Sequence, residues 1–105
     1  MRRGEVWLAA LDPRVGSENQ EGKPCLIVSP DRMIEGLSTI IVAPFSGGSR
    51  ATSFRPSVRL GDADRIISLE QIRAVDKSRL LRRLGRLDDK AVTQSLATLR
   101  WMFAE

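Results

Sequence analysis

Apolar and polar residues alternate along Glu5-Val6-Trp7-Leu8-Ala9-Ala10-Leu11, a period of two that predicts a strand. Asp12-Pro13 and Gly16-Ser17 end it in a long polar loop from Asp12 to Gly22. The run Pro24 to Ser29, dense in Ile, Val and Leu, predicts a buried strand. A turn at Pro30-Asp31 and a segment of unclear period follow, and then a second buried strand at Ser38 to Ala43. Phe45 to Ser53 has no periodicity and contains two adjacent glycines, so an exposed loop is expected there. Short strand-like pieces at Ser57 to Leu60, Arg65 to Leu69, Ile72 to Val75 and Leu81 to Leu87 have the spacing of a small barrel. The period then changes. Val92, Leu96, Leu99 and Phe103 recur at helical spacing after Asp88, a good N-cap residue, which predicts one amphipathic helix over Asp89 to Phe103. Its apolar stripe is a packing face, against the barrel or a second subunit. The fold class expected is mainly β, a small barrel with a C-terminal α-helix.

A chain of 105 residues supports one core, so a single domain spanning 1–105 is expected. Apolar residues at 42% and charged residues at 29% are ordinary for a globular domain. The longest apolar run, Leu37 to Phe45, is interrupted by Ser38 and Thr39 and is too short to cross a bilayer. Met1-Arg2-Arg3-Gly4-Glu5 leads straight into the first strand without a signal-like segment, so a cytoplasmic location is the expectation. Cys25 lies within Pro24-Cys25-Leu26-Ile27-Val28, where a free cysteine serves as a small buried hydrophobe. With one cysteine and no histidine, a structural zinc site is not expected.

The net charge of +4 and pI near 10.2, with Arg far commoner than Lys, suit the binding of phosphate. A solvated surface accounts for the same charge equally well.

Several short motifs occur in a telling order: Arg3-Gly4-Glu5-Val6-Trp7, Leu11-Asp12-Pro13, Gly16-Ser17-Glu18, Lys23-Pro24 with Val28-Ser29-Pro30, and Leu69-Glu70-Gln71-Ile72-Arg73. Together they resemble the MazF/PemK/Kid toxin family, from residue 3 through the closing helix. The resemblance implies an SH3-like barrel with a C-terminal helix, assembled as a two-fold homodimer with single-stranded RNA bound in a groove across it. It implies a type II toxin: a sequence-specific, metal-independent endoribonuclease that needs no cofactor. It also implies a cognate MazE-like antitoxin whose acidic C-terminal tail occupies the groove. A basic toxin suits such a tail.

Cleavage of this type uses the RNA 2′-hydroxyl as nucleophile. The protein must remove its proton, stabilise a phosphorane-like transition state, and protonate the departing 5′-oxygen. Lys23 occupies the place of the family's usual catalytic arginine; it keeps the charge but loses the planar fork. Ser46 stands where the family usually has a threonine that orients the scissile phosphate, and its hydroxyl donates the same hydrogen bond. Glu18 matches the acidic residue beside the groove, as a proton acceptor or a contact to a base edge. Ser17 replaces a histidine found in some members and is an RNA-contact candidate. Arg50 and Thr52 lie in the Gly-Gly loop that resembles the family's loop over the substrate, where a cation can follow a phosphate backbone. Glu70 takes the place of an aspartate that the PemK branch uses as general base, but Ser68 stands where that branch has an arginine. Glu70 is therefore read as an RNA contact. Gln71 and Arg73 read as structural, with Arg73 paired to Asp76. Phe45 and Phe54 are the rings near the loop, so base recognition is expected to rest on hydrogen bonds more than on stacking.

Two alternatives stay open at this point. A CcdB-like toxin shares the barrel but poisons gyrase through its terminal helix, here Trp101, Phe103 and Glu105. A MazF homologue impaired in cleavage would bind only RNA or antitoxin, and the replacements at Lys23 and Ser46 are what suggest it.

Overall fold

The computed structural model describes residues 1–11, 22–48 and 50–105. Within them the chain runs β1 (Glu5–Ala9), β2 (Lys23–Ile27), α1 (Asp31–Gly36), β3 (Thr39–Ser46), β4 (Ser57–Leu60), β5 (Ala63–Ile67), β6 (Arg73–Asp76), β7 (Leu80–Arg86) and α2 (Asp89–Phe103). Single 3₁₀ turns at Leu69–Gln71 and Lys77–Arg79 flank β6.

β3 organises the sheet, whose strand order is β4-β5-β3-β2-β1-β7 with β6 attached to β3. One edge of β3 pairs with β2 through Cys25–Pro44, Leu26–Ala43 and Ile27–Val42. The other edge pairs first with β6, from Thr39–Asp76 to Val42–Arg73, and then with β5 at Phe45–Ile67 and Ser46–Ile66. Every ladder is antiparallel, and the β1–β7 ladder shifts register twice, at Val6/Trp7 and Leu8/Ala9. Such irregularities bend a sheet and sharpen its twist. The result is a half-barrel.

At β2 and β3 both faces of the sheet are buried, and this explains their unbroken apolar runs. Alternate residues feed two cores. Leu26, Val28, Ala43 and Phe45 join Val6, Val58, Ile67, Leu69 and Leu87 in the first, which α2 covers with Ala91, Val92, Leu99 and Met102. Cys25, Ile27, Ile40 and Val42 join Ala9, Ile34, Val75 and Leu80 in the second, with Trp7 packed against it. At about 25 cal/mol per Å2, burying one such Leu or Ile side chain contributes roughly 1.5–3 kcal/mol.

α2 has the predicted limits because Asp88 caps it: its carboxylate accepts the Ala91 N–H at 2.7 Å. Its buried face departs from the expected stripe. Ser95 is fully buried, donating its hydroxyl to the Ala91 carbonyl at 2.9 Å, whereas Phe103 is 72% exposed. A small residue lets the helix sit close to the sheet, and the packing face shifts to Ala91, Val92, Leu99 and Met102. The segment of unclear period is α1, short and anchored by buried Ile34. Its backbone is tied down by the Lys77 ammonium, which donates to the Ile34 carbonyl, and by Asp31, which accepts the Arg3 N–H at 2.7 Å. β5 begins at Ala63 and ends at Ile67, so Leu69 falls in the following 3₁₀ turn.

Candidate catalytic strand ends

Gly22 delivers the chain into β2 with φ +70°, and a Cβ there would lie 2.7 Å from the Ala9 carbonyl oxygen. Only glycine meets both demands without strain. Lys23 follows, paired with Ala9 at the end of the β1–β2 ladder, exposed at the barrel rim. Ser46 is the last residue of β3, half-buried and paired with Ile66. Continuing the β2–β3 register two residues past Cys25–Pro44 sets Lys23 across from Ser46. The ladder itself ends at Cys25–Pro44, and beyond it the two candidate catalytic residues share one face at the neighbouring ends of β2 and β3.

That face is the one fed by Cys25 and Ile27, and its apolar floor is the second core. Cys25 itself is fully buried, and burial pushes its thiol up to about 12 despite the nearby charges of Lys23 and Arg73. It is a packing residue, as its setting in the sequence implies.

The β3–β4 connection holds Arg50, exposed, and a tight turn in which Thr52 and Arg55 exchange backbone hydrogen bonds at 3.0 and 3.3 Å. The Thr52 hydroxyl accepts the Phe54 N–H at 3.3 Å, so that hydroxyl shapes the turn. Glu70 is engaged by Arg55, whose Nε donates to its carboxylate at 2.9 Å and whose Nη2 bonds the same oxygen. The Arg55 guanidinium holds the Glu70 carboxyl below its usual range. Glu70 thereby ties the base of the loop to the turn before β6. Of the two rings near the loop, Phe45 is buried in the first core and Phe54 is exposed.

Ser17 and Glu18 lie outside the described residues. Arg73 is not paired to Asp76: the Asp76 carboxylate instead caps the 3₁₀ turn by accepting the Ser78 N–H at 2.9 Å. Among the described residues, neither Lys23, Arg50 nor Arg73 makes an ion pair. Arg73 stands opposite Val42 on the same face as Lys23 and Ser46, a placement that the alternation around buried Val75 carries in the sequence. No group of three or more His, Cys, Asp or Glu side chains that could hold a metal occurs among the described residues. No helix among them is long and apolar enough to cross a membrane.

A half-barrel with a C-terminal helix and a net charge of +4 defines a small basic protein suited to a polyanion. Residues 2–103 match the model of the PemK-like, MazF-like toxins of type II toxin–antitoxin systems. The chain is 37% identical over 100 residues to the endoribonuclease MazF of Staphylococcus saprophyticus, covering 90% of this chain and 83% of that relative. Its fold resembles a mycobacterial endoribonuclease solved with its cognate antitoxin, at TM-score 0.78 and 17% identity, covering 96% of this chain and 92% of that one. It also resembles MazF from Deinococcus radiodurans, at TM-score 0.79 and 15% identity, covering 97% and 94% respectively. The protein belongs to the PemK/MazF toxin family and is a toxin endoribonuclease of the MazF kind, not a CcdB-like gyrase poison.

Proposed function

We propose that the protein cleaves single-stranded messenger RNA at a short recurring sequence without a metal ion, and that Lys23 and Ser46 are its catalytic residues. The observation that carries this reading is the register that sets these two side chains across from each other on one face at the barrel rim. The 2′-oxygen attacks phosphorus and loses its proton, the P–O5′ bond breaks, and O5′ takes up a proton. A 2′,3′-cyclic phosphate and a 5′-hydroxyl remain. Charge builds on the non-bridging oxygens, where the Lys23 ammonium and the Ser46 hydroxyl act. Glu18, five residues before Lys23 in the chain, is the candidate proton acceptor. Arg50 follows the phosphate backbone, while Ser17, Thr52 and Glu70 line the path of the bases.

The working form is a cytoplasmic homodimer. Its partner is a MazE-like antitoxin with an acidic C-terminal tail; the antitoxin is supported by the mycobacterial endoribonuclease solved with its cognate antitoxin and by a MazE–MazF complex from Deinococcus radiodurans. The basic net charge suits that tail.

Incubating the purified protein with a long single-stranded RNA in EDTA, and mapping the new 5′ ends, tests the reading. Cuts at a recurring short sequence that disappear in Lys23→Ala are expected. No cutting at any protein concentration overturns it.

A further inference from the structure

Lys23 leaves a gap in the phosphate-binding set, because a single ammonium grips one oxygen where a guanidinium grips two. The structure offers a guanidinium on the same face. β3 is flanked by β2 on one edge and by β6 on the other, each about 4.8 Å away. Lys23 opens β2 and Arg73 opens β6. In the cross-strand row Arg73–Val42–Ile27, Val42 and Ile27 point into the second core. Val75, two residues on from Arg73, is buried in that core as well. Arg73 therefore emerges on the face of Lys23 and Ser46, across β3 from Ile27 and two rows along the sheet from Lys23.

The electrostatics of Cys25 agree independently. Its thiol lies between the rows of the two cations, in the row Cys25–Pro44, and among the described residues the charges of both Lys23 and Arg73 act on it. Arg73 is exposed and makes no ion pair among the described residues. Its charge has a long side chain with which to reach an anion lying over Pro44, between its own row and that of Lys23 and Ser46.

We infer that Arg73 is a substrate-binding residue of this site, a guanidinium that grips the RNA backbone from the far edge of β3 and supplies the bidentate contact that Lys23 lacks. The inference rests on the proposed cleavage reaction for its catalytic part, but its binding part stands on its own. One prediction follows for each. For single strands, each lost phosphate contact lowers the slope of log K against log salt by about 0.7. Arg73→Gln should lower by that amount the slope for a single-stranded 2′-deoxy oligonucleotide carrying the mapped cut sequence. If no cut has been mapped, a mixed-sequence oligonucleotide serves. Arg100→Gln, an equal loss of charge on α2, should leave the slope unchanged.

Arg73→Lys keeps the charge and loses the fork, so it should retain the slope while kcat for RNA cleavage falls about tenfold. In a Lys23→Arg background, where a fork is restored at the other edge, the same Arg73→Lys change should cost two- to threefold at most. An unchanged slope in Arg73→Gln, with melting temperature unaltered, overturns the inference whether or not the wild type cuts RNA. A shallower slope in a protein that never cuts overturns the proposed reaction and leaves the binding residue standing. Equal losses from Arg73→Lys in both backgrounds overturn the shared role with Lys23.

Discussion

Gly22 passes so close to Ala9 that a single added carbon would stand 2.7 Å from the Ala9 carbonyl oxygen. The contact joins the end of β1 to the entry of β2, one residue before Lys23. Gly22→Ala meets both that carbonyl and an unfavourable positive φ, so it should destabilise the fold by about 1–3 kcal/mol. Denaturant unfolding measures the loss. RNA cleavage should fall further than the lost folded fraction explains, because β2 can relieve the clash only by moving Lys23.

At the catalytic pair the expected order of activity is Lys23→Arg at or above wild type, then wild type, then Lys23→Ala at background. Ser46→Thr should retain cleavage and Ser46→Ala should lose about ten- to a hundredfold in kcat, the scale of one donor to a developing oxyanion. Single-turnover cleavage of a synthetic oligoribonucleotide reads each. A Ser46→Ala enzyme as fast as wild type would remove Ser46 from the mechanism.

Glu5 links stability to pH. Burial pulls its carboxyl up, but hydrogen bonds from the Trp7 indole, the Arg2 N–H and Arg83, together with the charged N-terminus, outweigh burial and leave it lowered. The folded protein therefore holds this proton less tightly than the unfolded chain does. Its contribution is complete above the ordinary carboxylate pKa and is lost as pH falls through the lowered value. Thermal melts of wild type and Glu5→Gln should converge as the pH drops from 6 toward 3 and differ most above pH 5.

Cys25 is expected to resist iodoacetamide at pH 8 in the native protein and to react at once in denaturant, since its thiol is buried and pushed up to about 12. Mass spectrometry gives the answer directly. Native labelling as fast as in the unfolded chain would mean that the second core opens readily.

On α2, Asp88→Ala should cost about 1 kcal/mol through the lost cap. Ser95→Leu should cost about 1–3 kcal/mol by overpacking a fully buried position.

At α2, local sequence signals and tertiary packing part company. Its limits were legible because a capping aspartate and a change of period are local signals. Its buried face was legible in part: Val92 and Leu99 of the stripe pack on the first core, whereas Ser95 reads as polar and its complete burial is a tertiary fact. The strands were readable as runs of apolar residues, but the division of Cys25, Leu26, Ile27 and Val28 between two cores needs to be seen in three dimensions. Lys23 and Ser46 could be named from motifs, whereas their opposition across β2 and β3 depends on register. Arg73 escaped because an arginine beside an aspartate three residues on invites an ion-pair reading. The Asp76 carboxylate is committed to its own turn instead. The ion pair of Glu70 was not legible, because its partner Arg55 lies fifteen residues away, beyond any local pattern.

β3 ends in Ser46 and pairs on both edges along the way. Amides on a strand held from both sides exchange with solvent only when much of the molecule opens. Heating should therefore not strip activity from an otherwise intact protein. The chemistry should persist until the whole body melts, and an inactive but folded form of this toxin must be made by something that covers the site.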